Sequence, residues 1–203
     1  PGDTEVVGET SNNMSALAAV LQPVIDQMLN DGINKIMLVS HLQQIALEQE
    51  LAGLLKGVDV IIAGGSDTIL ADQEDVDRGL NPGDTPAADY PIHTTNADGD
   101  PVVIVSTDGE YSYVGRLVVD FDEDGKIILD ENGKATDEDV SGIFATDDET
   151  VEELWGEEDA FAEGTKGDLV EDMVEVVSGI VLEQDGNVFG KTDVFLDGRR
   201  TEV

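Results

Sequence analysis

The first part of the chain alternates apolar patterns of helical and strand length. Apolar side chains spaced three or four apart in residues 11–31 predict an amphipathic helix, capped by Ser11 or an adjacent Asn and ended by Gly32. Pro23 inside this stretch predicts a kink or a late start. The predicted inward stripe consists of Leu17, Val20, Leu21, Val24, Ile25, Met28 and Leu29.

Two short apolar runs follow, KIMLVS at residues 35–40 and VDVIIA at residues 58–63. Runs of this length without polar alternation are typical of strands that are buried on both faces. Residues 42–56 between them carry a helical apolar pattern that ends at Gly57. Strand, helix and strand with short joints predict a βαβ unit with a right-handed crossover.

The second half has a different pattern. Residues 66–100 are polar and rich in Pro and Gly, which predicts a long functional or mobile loop. After residue 101, the runs VVIVS, YVGRLVVDF and KIIL predict antiparallel strands separated by Asp-Gly turns. Residues 136–166 predict an acidic insertion or linker, with at most a short helix near residues 149–155. A helix over residues 168–183 and a final extended segment complete a mixed α/β fold.

The charge of the chain narrows the possible partners. It carries 46 acidic and 10 basic residues, a formal net charge of −36, which disfavours nucleic acids and anionic membrane surfaces. No apolar run is long enough to span a membrane, and the absence of Cys excludes disulfides and thiolate metal sites. Dispersed acidity with few lysines indicates the surface of a halophilic protein, with a cation-buffering protein as the alternative.

Candidate chemistry lies where the two predicted parallel strands end. His41 follows the first strand, and Gly64, Gly65, Ser66, Asp67 and Thr68 follow the second. The carboxyl ends of parallel strands share one crevice, imidazole and carboxylate are ligands for divalent metals, and glycines let the backbone approach an ion. A capped histidine beside an ordinary strand-end turn is the alternative.

A second acidic motif is DFDEDGKIILDE at residues 120–131. Asp120, Asp122, Asp124 and Glu131 match the positions of a calcium-binding loop. The flanking runs are strand-like rather than helical, so Asp124-Gly125 favours a hairpin turn, with loose cation binding by the clustered acids as the alternative. His93 in the polar loop is predicted to be a surface residue.

Three ordered segments carry a family resemblance: NKIMLVSHLQQ, GVDVIIAGGSDT and GEYSYVGRLVVDFDEDGKI. They resemble the second half of the catalytic domain of the bacterial 5′-nucleotidase and alkaline phosphatase group of calcineurin-like metallophosphoesterases. The tail DGNVFGKTDVFLDGRRTEV is similar to the linker and first strand of the C-terminal domain of that family. The resemblance implies part of a four-layer αββα sandwich over residues 1–135, the insertion over 136–166, and the connector to the next domain over 167–203.

The resemblance also implies site residues. His41 matches a histidine that binds the second of two metals, whereas Gly65 stands where relatives carry a first histidine and Asp67 where they carry a second ligand. The loss of an imidazole at Gly65 implies a weaker site or a harder metal ion. The other metal-binding and catalytic motifs of the family, and its aromatic substrate clamp, are absent, so no catalytic residue is assigned within the chain.

These features predict a piece of a longer halophilic phosphomonoesterase, periplasmic or secreted, that hydrolyses phosphate esters with a metal-activated water. The expected partners are zinc, manganese, calcium or magnesium ions, a phosphate-ester substrate and the remainder of the parent polypeptide, without nucleic acid or membrane. The isolated chain is expected to be inactive. The alternatives are a non-enzymatic acidic protein that binds calcium or monovalent ions, and an adaptor for basic partners.

Overall fold

The computed structural model describes residues 13–135, 140–155, 162–185 and 190. The chain divides into two compact units, Pro1–Thr150 and Val151–Val203. In chain order the elements are α1 (Met14–Asn30), β1 (Met37–Ser40), α2 (Ile45–Leu54), β2 (Val60–Ala63), α3 (Gln73–Arg78), β3 (Ile92–Thr95), β4 (Pro101–Val105), β5 (Tyr113–Arg116), β6 (Gly142–Ala145), α4 (Asp148–Trp155) and α5 (Lys166–Asp185).

A four-stranded sheet with the order β1-β2-β4-β3 organises the first unit. β1 and β2 are parallel, with Met37 opposite Val60, which confirms the predicted βαβ unit. β4 is parallel to β2 and antiparallel to β3, so the change to antiparallel pairing falls within one sheet. β5 and β6 form a separate antiparallel pair. The mixed α/β fold class is confirmed.

Helices α1 and α2 cover one face of the sheet through a buried cluster that includes Met14, Leu51, Ile61 and Ile104. Asn13 caps α1 by accepting a hydrogen bond from the Ala16 N–H at 3.1 Å, which is the kind of cap that the sequence predicts. The predicted inward stripe is wrong in part. The buried positions of α1 are Met14, Ala18 and Ile25, whereas Val20, Val24, Met28 and Leu29 are exposed.

The opposite face of the sheet is covered unevenly. Val60 and Val103 pack against Ile127 and Ala135. β1, in contrast, lies at the sheet edge, and Met37 and Val39 are 57% and 70% exposed. The prediction that this strand is buried on both faces is therefore wrong, because no described segment packs on that face of β1.

Residues 66–100 are not a long unstructured loop. They contain α3 and β3, and Leu70 and Ala71 are buried. α3 begins with a capping box in which Asp72 accepts from the N–H groups of Glu74 and Asp75, while Asp75 accepts from the Asp72 N–H. Polar composition concealed these elements because their apolar residues are few and irregularly spaced.

Strand β6 falls inside the predicted acidic insertion, and the sequence pattern did not reveal it. Asp75, which is 1% exposed, accepts a hydrogen bond from the Ile143 N–H at 2.9 Å and pairs with Arg78 at 2.7 Å. Arg78 also donates to the Ile143 carbonyl at 3.0 Å and lies over the Phe144 ring. These contacts anchor β6 to α3. The division at residues 135 and 166 stays a prediction.

The predicted helices near residues 149–155 and 168–183 are confirmed as α4 and α5. The predicted final extended segment lies outside the described residues. Within the described parts of the chain, no helix is long and apolar enough to cross a membrane.

The anchoring of β6 makes Asp75→Ala a severe substitution. It removes a buried carboxylate and leaves the Ile143 N–H and the Arg78 guanidinium without this acceptor, so we expect a loss of about 2–4 kcal/mol in the free energy of unfolding. Urea unfolding at fixed salt measures the loss. Asp77→Ala on the same helix is the control, because Asp77 is exposed. Equal effects of the two substitutions would contradict the role of Asp75.

Asp59 is a second buried carboxylate, placed at the entrance of β2. Its Oδ2 accepts a hydrogen bond from the Ile36 N–H at 2.7 Å, which joins β2 to the start of β1. Burial is the main cause that raises the pKa of Asp59 to about 6, and the nearby Asp100 adds to it. Because the pKa is higher in the folded than in the unfolded chain, folding takes up a proton. The contribution of this group to stability is therefore greatest below pH 3.8 and is lost as the pH rises through about 6.

Replacing Asp59 by Asn removes this titration while an amide oxygen remains to accept from Ile36. At pH 7 we expect Asp59→Asn to be more stable than the original chain by on the order of 1–2 kcal/mol, with the difference shrinking toward pH 4. Urea unfolding across this pH range measures the difference, and Glu50→Gln at an exposed position is the control. A difference that does not depend on pH would refute the assignment.

Candidate functional site

Three loops meet at the carboxyl edge of the parallel strands. Residues 41–44 follow β1, residues 64–68 follow β2 and residues 106–112 follow β4. Because these three strands are parallel, their following loops emerge on the same side of the sheet. The third loop was not predicted from the sequence to be part of the site. Its Asp108-Gly109 turn directly after an apolar run could have indicated it.

The histidine of the first loop lies against the glycine turn of the second. A Cβ atom on Gly65 would lie 2.7 Å from His41 Nε2 and 2.9 Å from Cδ2, so the imidazole ring occupies the space that a side chain would take. The Gly64 N–H donates to the Ser40 carbonyl at 3.0 Å, which continues the β1–β2 pairing to this point. The structure therefore brings His41 to the Gly64-Gly65 turn, and the turn can accept the ring only because it lacks a side chain at position 65.

Asp67 is directed toward the third loop. A Cβ atom on Gly109 would lie 3.0 Å from Asp67 Oδ1, so this glycine permits the close approach of the carboxylate. Asp67 and His41 are both exposed, whereas the Ser66 hydroxyl is buried without a hydrogen-bond partner among the described residues, and Thr68 is half-buried. Asp67 thus approaches the 106–112 loop, and the predicted rim residues differ in their access to solvent.

Strained backbone is concentrated at the same edge. Among the described residues, the non-glycine positions with a positive φ are Gln43 (66°), Asp67 (49°), Glu110 (57°) and Tyr111 (62°). All of them fall in the three loops. Such conformations cost free energy and persist where the surrounding structure enforces them, most often at functional sites. Their placement makes this edge a candidate functional region independently of any side-chain motif.

A groove of about 560 Å³ begins at this edge and continues along the unevenly covered face of the sheet, with Gly115, Leu117, Val119 and Phe121 in its lining. Its charged lining residues are Asp67, Asp108, Asp59 and Lys35, so the groove carries an excess of negative charge. Tyr90 lines the same groove, and burial raises the pKa of its phenol above the usual value. An acidic groove with an exposed histidine at its rim favours a cation over a free anion.

Two candidate metal ligands, His41 and Asp67, lie at this edge. In the described residues, no group of three or more His, Asp or Glu side chains is arranged to hold a metal ion. His41 and Asp67 supply one imidazole and one carboxylate, whereas zinc sites use three or four protein ligands. A metal bound here would need further donors in addition to these two residues.

The acidic motif at residues 120–131 forms a hairpin turn. Phe121 and Ile127 form an antiparallel bridge, which confirms the predicted hairpin turn at Asp124-Gly125. Asp122 Oδ1 accepts hydrogen bonds from the N–H groups of Asp124 and Lys126, both at 2.9 Å, so this oxygen is used to close the turn. The side chains of Asn96 and Asp130 close two further turns of the same type. Each accepts hydrogen bonds from the N–H groups two and four residues further along the chain. Cation binding at Asp120, Asp122, Asp124 and Glu131 stays a prediction.

His93 is an exposed residue, as the sequence predicts, although it lies in strand β3 rather than in a loop. It accepts a hydrogen bond at Nε2 from the Ala135 N–H at 2.9 Å. Partial burial of the ring is the main cause that lowers the pKa of His93. The contact with Ala135 makes His93 a reporter on folding.

Comparison with known proteins finds similar sequences over about half of this chain. No protein-family model matches the sequence. The chain is 32% identical over 108 residues to the 5′-nucleotidase of Bos taurus, a match that covers 53% of this chain and 18% of the bovine protein. It is 33% identical over 109 residues to a venom 5′-nucleotidase of Naja atra, covering 53% of this chain and 19% of the venom protein. About half of the chain is thus similar to part of the sequences of proteins named 5′-nucleotidase.

Solved structures agree with this family in fold. The 5′-nucleotidase precursor of Thermus thermophilus matches with a TM-score of 0.59 at 23% identity, over 80% of this chain and 26% of that protein. The NAD nucleotidase of Haemophilus influenzae matches with a TM-score of 0.50 at 24% identity, over 66% of this chain and 25% of that protein. The chain thus spans less than a fifth of the length of the curated 5′-nucleotidases named above.

The contact between Gly65 and His41 predicts the effect of adding one methyl group. Gly65→Ala places a Cβ against the imidazole at a positive φ of 80°, so we expect the ring to be displaced and stability to fall by about 1–2 kcal/mol. Nitrogen-detected NMR of the two histidines and urea unfolding measure both effects. Gly83→Ala is the matched control, since Gly83 also has a positive φ but has nothing within 4 Å of an added Cβ. An unchanged His41 signal in Gly65→Ala would contradict the contact.

Proposed function

We propose that the chain forms part of a metal-dependent phosphomonoesterase of the 5′-nucleotidase type, acting on nucleotides or other phosphate esters. The observation that supports this proposal best is the meeting of His41, the Gly64-Gly65 turn and Asp67 at the carboxyl edge of three parallel strands. This arrangement occurs in a chain whose relatives are named 5′-nucleotidases.

In this proposal His41 holds a divalent metal through its imidazole and Asp67 through a carboxylate oxygen. When bound, the metal supplies Lewis-acid activation of water and polarises the phosphate ester. Gly64 and Gly65 leave room for the imidazole of His41, and Ser66 and Thr68 complete the rim. With one imidazole and one carboxylate, oxygen-preferring ions such as manganese, magnesium or calcium fit better than zinc.

The remaining donors come, in this proposal, from other parts of a longer parent polypeptide. The exposed apolar side chains of Met37 and Val39, together with Ile62 at 39% exposure, form an uncovered patch on the same sheet face as the groove. Packing of further protein on this patch would bury it and bring additional ligands toward His41 and Asp67. The isolated chain is accordingly proposed to be inactive.

The setting of the parent protein is also part of the proposal. The formal net charge of −36 supports a halophilic protein whose carboxylates stay hydrated in concentrated salt. A secreted or periplasmic location accords with the venom origin of several relatives.

Manganese titration tests whether His41 and Asp67 face a common ion. We expect Mn²⁺ to broaden the NMR signals of His41, Gly65 and Asp67 selectively, because paramagnetic broadening falls steeply with distance from the ion. His41→Ala should weaken this binding by roughly 10-fold or more, since a ligand is removed. The titration is run in high salt, where non-specific attraction to the acidic surface is screened.

Asp122→Asn tests the alternative hypothesis that the chain is a general cation-binding protein. The proposal predicts no effect of this substitution on the broadening at His41. Broadening confined to residues 120–131 that survives His41→Ala would instead favour the cation-binding protein. Phosphomonoesterase turnover by the purified isolated chain that is lost in His41→Ala, which excludes a contaminant as its source, would contradict the proposed inactivity.

A further inference from the structure

Glu48 is a buried acid directly behind the loop that carries His41. It lies in the first turn of α2 and its side chain is fully buried, at 0% exposure. Most acids of this chain can remain in water, so a buried carboxylate at this position carries a desolvation cost that needs an explanation.

One oxygen of Glu48 holds both neighbours of His41. Its Oε1 accepts a hydrogen bond from the Ser40 hydroxyl at 3.0 Å and another from the Leu42 N–H at 3.3 Å. Since these residues immediately precede and follow His41, the carboxylate constrains the backbone on either side of the imidazole. The next residue, Gln43, has a strained φ of 66°, so this loop needs such a constraint to keep its shape.

Both hydrogen bonds of the Glu48 side chain serve the loop that carries His41, through the single oxygen Oε1. Its other oxygen, Oε2, is buried and has no hydrogen-bond partner among the described residues, so no hydrogen bond ties this acid to another segment. Buried acids behind a metal-binding histidine commonly orient that ligand, and their loss weakens metal binding about 10–100-fold.

We propose that Glu48 is a positioning residue that fixes the His41 ring over Gly65 at the edge of the sheet. Glu48 acts through the Ser40 hydroxyl and the Leu42 N–H and does not touch the metal or the substrate. The expected effect of Glu48 on metal binding rests on the proposed function. Its effect on the orientation of the His41 ring does not, because that orientation can be measured without metal.

The chain contains only two histidines, which provides an internal control for the test. His93 reports on folding through its contact with Ala135, and His41 reports on the loop. In metal-free samples, we expect Glu48→Ala to shift and broaden the ring signals of His41 while those of His93 stay unchanged. Glu48→Gln retains an acceptor for Ser40 and Leu42 and should largely restore the His41 signals. Mn²⁺ binding should weaken roughly 10-fold or more in Glu48→Ala.

Two controls separate positioning from stability. Ala52→Gly is a buried substitution in α2 that lowers stability without changing a contact of the 41–44 loop. Glu50→Ala removes an exposed acid from the same helix. Neither should move the His41 signals. If Glu48→Ala does not fold, Glu48→Asp takes its place, since its shorter side chain cannot keep both contacts.

The results distinguish the inference from the function on which it rests. Unchanged His41 signals in the Glu48 variants, or equal changes at His41 and His93 in all of them, would overturn the positioning role. Absence of Mn²⁺ effects at His41 in the unsubstituted chain would overturn the proposed function, while the metal-free spectra still decide the role of Glu48.

Discussion

The parallel pairing of β1, β2 and β4 is the constraint on which the candidate site depends. It places the loops after all three strands at one edge, so residues far apart in sequence become neighbours. The strained residues Gln43 and Asp67 lie in two of these loops. A sheet held by a buried apolar cluster can sustain such strain, because relaxing a loop would disturb the strand that precedes it.

Buried carboxylates connect the elements around this sheet. Glu48, Asp59 and Asp75 each accept a backbone N–H from a different segment, those of Leu42, Ile36 and Ile143 respectively. In a chain with 46 acidic residues, these acids have a role that differs from that of the solvated majority. Each satisfies a backbone donor that would otherwise be buried without a partner, and each thereby fixes where a loop or strand begins.

Gly65 shows how the site departs from the pattern that the sequence resembles. The resemblance implies a histidine at this position, whereas here the ring of His41 fills the space above the glycine. In the proposed function one imidazole serves where the resemblance implies two, and the carboxylate of Asp67 is the second donor. The groove beside them, with Asp108 in its lining, gives this edge a more oxygen-rich character.

The sequence by itself determined the features that depend on local contacts: the α1 cap at Asn13, the βαβ unit and the hairpin at Asp124-Gly125. It also placed His41 and the Gly64-Gly65 turn together, because strand order follows from short connections. Only the tertiary structure decided the exposed face of β1, the pairing of β6 with β5 and the approach of Asp67 to the third loop. These depend on contacts between distant segments, and periodicity within a segment carries no information about its partner.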